Sequence, residues 1–352
     1  MAIVEKQIGC FLAENTGNKK RAYFEYVLFW CRWRDSNSHE QAHTILSRAC
    51  IPIPPHRPVN SLLQNRQLKG FCQCSIINNM AKIISLINQK GGVGKTTTAV
   101  NLATYLADEG KAVLLVDLDP QGNASSGSGV DIRNLDKSLY KAMINRNNPR
   151  SVISKSRSGY DIISSSPELA GAGVEMIHLD NREFRLYDVL RQIRSDYDYI
   201  IIDSPPSLGL LTINGLVASD EVLIPVQTEY YALEGLSQLL ETIELVRENL
   251  QPQLKIMGAV LTMYDRRNRL SRQVVTEVKN HFPGHVFESV IPRSVRLAEA
   301  PSFGKSILSF DSFSKGARAY KSLAKEVIQR TKNEEKKSVQ GGAASGGKRF
   351  IV

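Results

Sequence analysis

The chain has 352 residues, a hydrophobic fraction of 42% and a formal net charge of +10. That length suits about two ordinary domains or one large α/β domain. No stretch reaches the ~18 unbroken apolar residues of a membrane helix, and the apolar run at residues 23–30 is short and followed by Arg32 and Arg34. It has no small-residue cleavage site after it, so it does not read as a secretory signal. The chain reads as a soluble, cytoplasmic protein whose charge favours an anionic partner.

Residues 1–79 carry weak hydrophobic periodicity, and Pro52, Pro54, Pro55 and Pro58 forbid regular structure through their centre. All five cysteines, Cys10, Cys31, Cys50, Cys72 and Cys74, precede Met80. An odd, scattered count makes a poor disulfide framework, and the Cys72/Cys74 pair has no downstream ligand cluster for zinc. Ten Lys/Arg against five Asp/Glu give this stretch half of the net charge, as a basic arm for nucleic acid has. However, residues 33–37 (Trp-Arg-Asp-Ser-Asn) resemble the translated complementary strand of a tRNA arm. The expectation is that 1–79 is a disordered or misassigned extension and that Met80 is the initiator.

From Met80 the pattern changes. Apolar runs at 83–87, 112–117, 160–164, 199–203, 221–226 and 255–262 alternate with amphipathic stretches at 96–108, 184–193, 208–218, 232–249, 270–281 and 314–331. Continuous runs such as Val113-Leu114-Leu115-Val116 suit strands buried on both faces. Alternation with helices predicts crossover units: an α/β domain over 80–331, with a doubly wound, mostly parallel sheet and helices on both faces. Residues 332–352 are rich in Gly, Ser and Lys and read as a flexible tail.

Between the first run and the first amphipathic stretch lies Lys90-Gly91-Gly92-Val93-Gly94-Lys95-Thr96-Thr97. Glycines let backbone N–H groups turn inward around phosphate oxygens, and the following helix start adds further donors. Lys95 reaches the β- and γ-phosphates of a triphosphate, and the Thr96 hydroxyl ligates Mg²⁺. The strict P-loop pattern has glycine where this chain has Gln89, and an extra lysine, Lys90, opens the loop instead. A dinucleotide site is the competing reading, with Asp117 or Asp119 on a ribose. The third glycine of that fingerprint is missing, and Lys95-Thr96 has a clear task only with a triphosphate and metal.

Two buried runs end in acids. Asp117 and Asp119 close the second run before Pro120, and Asp203 closes the run at 199–203 before Pro205 and Pro206. Ligands of open parallel sheets bind beyond the carboxyl ends of strands. Asp119, at the exit, is placed to orient an attacking water. Asp117 is the better candidate for capping the turn. Asp203 is a Walker B type acid for Mg²⁺.

These elements resemble the ParA/Soj (MinD-like) family of deviant Walker A ATPases, chromosome-partitioning type. The resemblance runs from about Met80 to Thr331. It is carried by the loop 90–97, the exit Asp117-Leu118-Asp119-Pro120-Gln121-Gly122, the turn Asp203-Ser204-Pro205-Pro206, and the stretches 225–235 and 291–304. It implies a P-loop NTPase that uses ATP and Mg²⁺ and forms an ATP-sandwich homodimer, in which Lys90 crosses to the partner's phosphates. Lys95 then serves its own nucleotide, Thr96 the magnesium, Thr97 the α-phosphate and Asp119 the water.

Basic residues follow. Arg266, Arg267 and Arg269 lie after the run 255–262, and Arg293, Arg296 and Lys305 flank the stretch 291–304. In related proteins, basic residues in such places bind double-stranded DNA without sequence preference, through phosphates. The resemblance therefore implies nucleoid association and a ParB-like centromere-binding partner. The glycine-rich end at 341–352 cannot form the membrane helix of MinD, so no membrane partner is expected. Without cysteine after Met80 the nitrogenase iron-protein branch is excluded. The expected function is ATP-dependent chromosome or plasmid partitioning; a positioning ATPase for another cargo, such as a secretion, chemotaxis or cellulose-synthesis complex, is the alternative.

Overall fold

The computed structural model describes residues 80–132, 137–229 and 234–343. The expectations for 1–79, for the last residues 344–352 and for residues 230–233 of the family stretch fall outside them. The seven strands are β1 (Lys82–Leu86), β2 (Val113–Asp117), β3 (Ile153–Lys155), β4 (Asp161–Ile163), β5 (Tyr199–Asp203), β6 (Glu221–Gln227) and β7 (Lys255–Thr262). They form one sheet in the order β3-β4-β2-β5-β1-β6-β7. Every pairing is parallel except that of β3 with β4. This is the predicted α/β sheet with one antiparallel edge strand.

The unbroken apolar runs have a simple cause. In β2, Val113 and Leu115 enter one core, while Leu114 and Val116 enter the other. Tyr199 and Ile201 of β5 likewise part from Ile200 and Ile202. Period two thus feeds two apolar layers, so no residue faces water. Each such side chain contributes about 1.5–3 kcal/mol by burial.

The first core is closed by α1 (Lys95–Asp108) and by a long C-terminal helix, with Leu102, Leu106, Tyr320 and Leu323 fully or nearly fully buried. The second is closed by α3 (Leu139–Met143), α4 (Leu169–Glu175), α5 (Arg185–Leu190) and α6 (Leu210–Val217), whereas α2 (Asn123–Gly127) places Ala124 in the first core. Next come α7 (Glu234–Asn249), α8 (Arg269–His281), α9 (Val295–Glu299) and α10 (Ile307–Phe310). Among the described residues no helix is long and apolar enough to cross a membrane.

The last helix, α11, spans Lys315–Ala343 and so runs past Thr331, where the sequence reading begins a flexible tail. Lys332, Glu334 and Lys336 are good helix formers, and the glycine pair that weakens a helix comes only at Gly341. A tertiary tie helps: Lys82 Nζ donates to Glu334 Oε2 at 3.3 Å and meets the buried Glu221 carboxylate at 2.6 Å.

From β1 the chain moves past β5 to β2, and from β5 it moves past β1 to β6. The crevice where these directions diverge lies at the carboxyl ends of the central strands. There Leu86 and Asp117 both stand in register with Asp203. The sheet therefore delivers the loop after β1 and two carboxylates to one place.

Candidate nucleotide site

The loop between β1 and α1 is set by its own glycines and by two clamps. Gly92 and Gly94 have φ of 74° and 88°, a left-handed conformation that side chains rarely adopt. Asn88, nearly buried, accepts from Lys90 N at 2.9 Å through Oδ1 and donates through Nδ2 to Pro225 O at 2.7 Å. Thr262 Oγ1 donates to Val93 O at 2.8 Å. The ends of β6 and β7 thus hold the loop that β1 delivers. Nothing in the linear pattern marked Asn88 or Thr262, because each is paired with a residue far along the chain or with its own local turn.

Lys95 is 7% exposed, and its Nζ curls back to donate to Lys90 O at 3.3 Å. Burial lowers its pKa, while the Asp203 and Asp119 carboxylates offset part of that. Around it opens a cavity of about 590 Å³, lined by Gly91, Gly92, Gly94, Thr96 and Thr97, by Asp119 and Gln121 beyond β2, and by Pro206 beyond β5. Residues 300–302 and Lys305 form part of the same wall.

The acids divide their tasks. Asp117 is fully buried; its Oδ2 accepts from Ser125 N at 2.7 Å and from Ser125 Oγ at 2.6 Å. Desolvation pushes its carboxyl up to about 6, against those hydrogen bonds. It ties the start of α2 to the sheet. Asp119 is 8% exposed, lines the cavity and accepts from Gln121 N at 3.0 Å.

Asp203 is fully buried, and among the described residues neither carboxylate oxygen has a hydrogen-bond partner. Desolvation raises its pKa well above the ordinary range, and the neighbouring Asp117 raises it further. The Thr96 hydroxyl and Lys95 ammonium pull it down in part; the hydroxyl acts from nearby without an ordinary hydrogen bond. A buried carboxylate with both oxygens open is costly unless a cation joins it. Thr96 and Asp203 therefore fit a hard divalent ion that takes oxygen ligands.

Asp117→Ala is expected to lower stability by about 2 kcal/mol, because buried donors of Ser125 lose their acceptor. Urea unfolding reads this. Since the Asp117 carboxyl rises from 3.8 to about 6 on folding, the folded chain holds its proton more tightly than the unfolded one. Stability thus falls as pH rises across that window, and the variant will lose part of that fall.

Lys90 stands at the lip. Its Nζ lies 3.9 Å from Glu229, whose carboxylate also lies 3.8 Å from Arg293. The other basic residues divide by place. Tyr264 and Pro292 form an isolated bridge, and Arg293 N donates to Tyr264 O at 3.0 Å. This joins the loop of Arg266, Arg267 and Arg269 to the segment of Arg293 and Arg296, all five exposed. Arg267 pairs with Asp265, and Arg296 with Glu299 and Asp311. Lys305 departs from this group and lines the nucleotide-sized cavity.

Residues 81–256 match a family model described as an AAA domain. The chain is 52% identical over 252 residues to the chromosome partitioning protein ParA of Myxococcus xanthus, covering 71% of this chain and 89% of that one. It is 53% identical over 249 residues to the sporulation initiation inhibitor protein Soj of Bacillus subtilis, covering 70% of this chain and 98% of that one. The chain belongs to the ParA/Soj family. Among solved structures, one of cobyrinic acid a,c-diamide synthase from Mycobacterium smegmatis, with a bound ATP analog and magnesium, superposes with a TM-score of 0.65 at 35% identity. It covers 72% of this chain and 96% of that one.

Proposed function

We propose that this ParA/Soj protein is a partitioning ATPase that hydrolyses ATP with Mg²⁺, pairs with a second copy around ATP, binds double-stranded DNA in that state and leaves it after hydrolysis. The observation that carries the reading is the buried, partnerless Asp203 carboxylate beside Thr96 and Lys95, at the mouth of a glycine loop. Relatives at 52–53% identity that are named for chromosome partitioning and sporulation control support the cellular role. The bound ATP analog and magnesium of the 35% identical structure support the ligand.

In this reading the loop N–H groups and Lys95 hold the β- and γ-phosphates, and Thr97 meets the α-phosphate. Thr96 and Asp203 hold Mg²⁺, which when bound neutralises charge on the phosphates. Asp119 orients the water for attack. Lys90, free to leave its long contact with Glu229, reaches the phosphates of the second copy. Exposed ion pairs of this kind contribute little, so a triphosphate outcompetes Glu229. Pairing doubles the arginine face, which links nucleotide state to DNA affinity. A ParB-like protein that stimulates hydrolysis completes the cycle, and DNA binding places the protein on the nucleoid.

The test is light scattering of the protein with MgATP, MgADP and neither, each with and without random-sequence DNA. A dimer only with MgATP, and DNA retention only by that dimer, is expected. A chain that stays monomeric with MgATP sinks the sandwich. Arg296→Glu is expected to weaken DNA binding by at least about tenfold and to flatten its salt dependence, with ATP-dependent dimerisation kept. Gel retardation across a salt series checks this; unchanged affinity moves the DNA face elsewhere.

A further inference from the structure

Lys305 sits on a segment whose place is fixed from three sides. Its own N–H donates to Ala300 O at 3.2 Å. Two residues on, Ile307 N donates to Asn101 Oδ1 at 2.8 Å. One residue back, Gly304 has φ of 60° and lies so close to Gly129 that a Cβ would come within 3.0 Å of its Cα. Asn101 is 4% exposed, and its Nδ2 donates to Thr97 O at 2.7 Å. One buried amide thus couples the Lys305 segment to the first turn of α1.

Part of the wall beside Lys305 is apolar. Gly127, Val100 and Pro301 converge there: a Cβ on Gly127 would lie 3.7 Å from Pro301 Cβ and 3.8 Å from Val100 Cγ2. All three line the cavity. With Lys95 and the glycines gripping the phosphate tail, this wall is left for the nucleoside. Among the described residues Lys305, like Arg266 and Arg269, has no carboxylate partner, whereas Arg267, Arg293 and Arg296 do; of these six basic residues Lys305 is the one that lines the cavity. Lys305 is exposed on that wall, so its ammonium can meet an anion that enters the cavity.

We propose that Lys305 is a ligand of the bound nucleotide, its ammonium meeting the α-phosphate oxygens at the nucleoside end of the cavity, and that it does not bind DNA. The proposal rests on the ATP reading above. Asn101 is its positioning residue, since it fixes the segment against the turn that carries Thr97.

The experiment is calorimetric titration of wild type, Lys305→Ala and Lys305→Arg with MgATP and with MgADP, and DNA retardation at saturating MgATP. Loss of one charge-assisted contact is expected to weaken both nucleotides by about tenfold in Lys305→Ala. The loss is equal for the two because both carry the α-phosphate. Lys305→Arg is expected to recover most of the affinity, and DNA retention at saturation is expected to match wild type. Wild-type nucleotide affinity in Lys305→Ala, or DNA binding lost at saturating MgATP, overturns the assignment. Wild type that binds neither nucleotide is a different failure, because it removes the ATP reading on which the assignment stands.

Discussion

Replacing Lys95 with alanine is expected to abolish MgATP binding, weakening it at least about a hundredfold by calorimetry, the equivalent of ~2.7 kcal/mol. The size follows from where the ammonium lies. At 7% exposure it is shielded from water, so its interactions with a triphosphate are not diluted by solvent. Burial lowers its pKa, and the Asp203 and Asp119 carboxylates hold the charge in place. Those same carboxylates make its loss severe. Without Lys95, phosphate oxygens enter a site where two acids line or flank the cavity and the loop N–H groups must counter both. Hydrogen bonds to charged groups contribute about 1.5–3 kcal/mol each, and Lys95 makes its bonds where the negative charge is densest. A Lys95→Ala protein with undiminished MgATP affinity would falsify the assignment of the glycine loop.

Much of this site is legible in the sequence because its chemistry is local. Gly92, Gly94, Lys95 and Thr96 fall within five successive residues, and their backbone angles and burial follow from the turn they make. The apolar runs are legible for the same reason: five residues in succession at β2 or β5 can satisfy only a strand covered twice. What was not legible depends on distant pairs. The Asn88–Pro225 and Thr262–Val93 bonds span residues more than a hundred apart, and neither leaves a pattern. The gathering of the five arginines needs the Tyr264–Pro292 bridge. In the linear sequence Lys305 stands with Arg296; that it lines the cavity shows only in the folded chain. The glycines near the end mask the helix-forming Lys/Glu stretch before them, which α11 includes and in which Glu334 meets Lys82. Short elements, such as β3 and α2, hold too few residues for a period to show.

The two acids that close β2 are separated by one residue and by a large difference in environment. Asp117 spends its acceptors on Ser125 and Asp119 N. Asp119 keeps its carboxylate toward the cavity, where among the described residues it accepts only from Gln121 N. Leu118 between them is fully buried in the second core, which locks the strand exit and keeps the two carboxylates from exchanging places. Sequence spacing alone puts both on one side; the α2 turn decides which of them the ligand can meet.

Asp119→Ala is accordingly expected to cut steady-state ATP turnover by about 10²–10⁴-fold, the usual range for a positioned acid–base group, while leaving MgATP binding close to wild type. Phosphate release measured against calorimetric affinity separates the two effects. Because among the described residues the Asp119 carboxylate holds only one backbone donor, its removal leaves the loop, Asp203 and Thr96 standing, and the nucleotide is bound but not cleaved. If hydrolysis is what parts the dimer, the variant accumulates as an ATP-bound pair that retains DNA in a gel and does not let go on the time scale of wild type. A variant that stays monomeric with MgATP means that Asp119 serves the pairing surface. One that dimerises and still turns over normally means that the water is oriented from elsewhere. Asp117→Ala provides the internal comparison: two residues away on the same strand exit, it is expected to lose stability, whereas Asp119→Ala loses chemistry and keeps its fold.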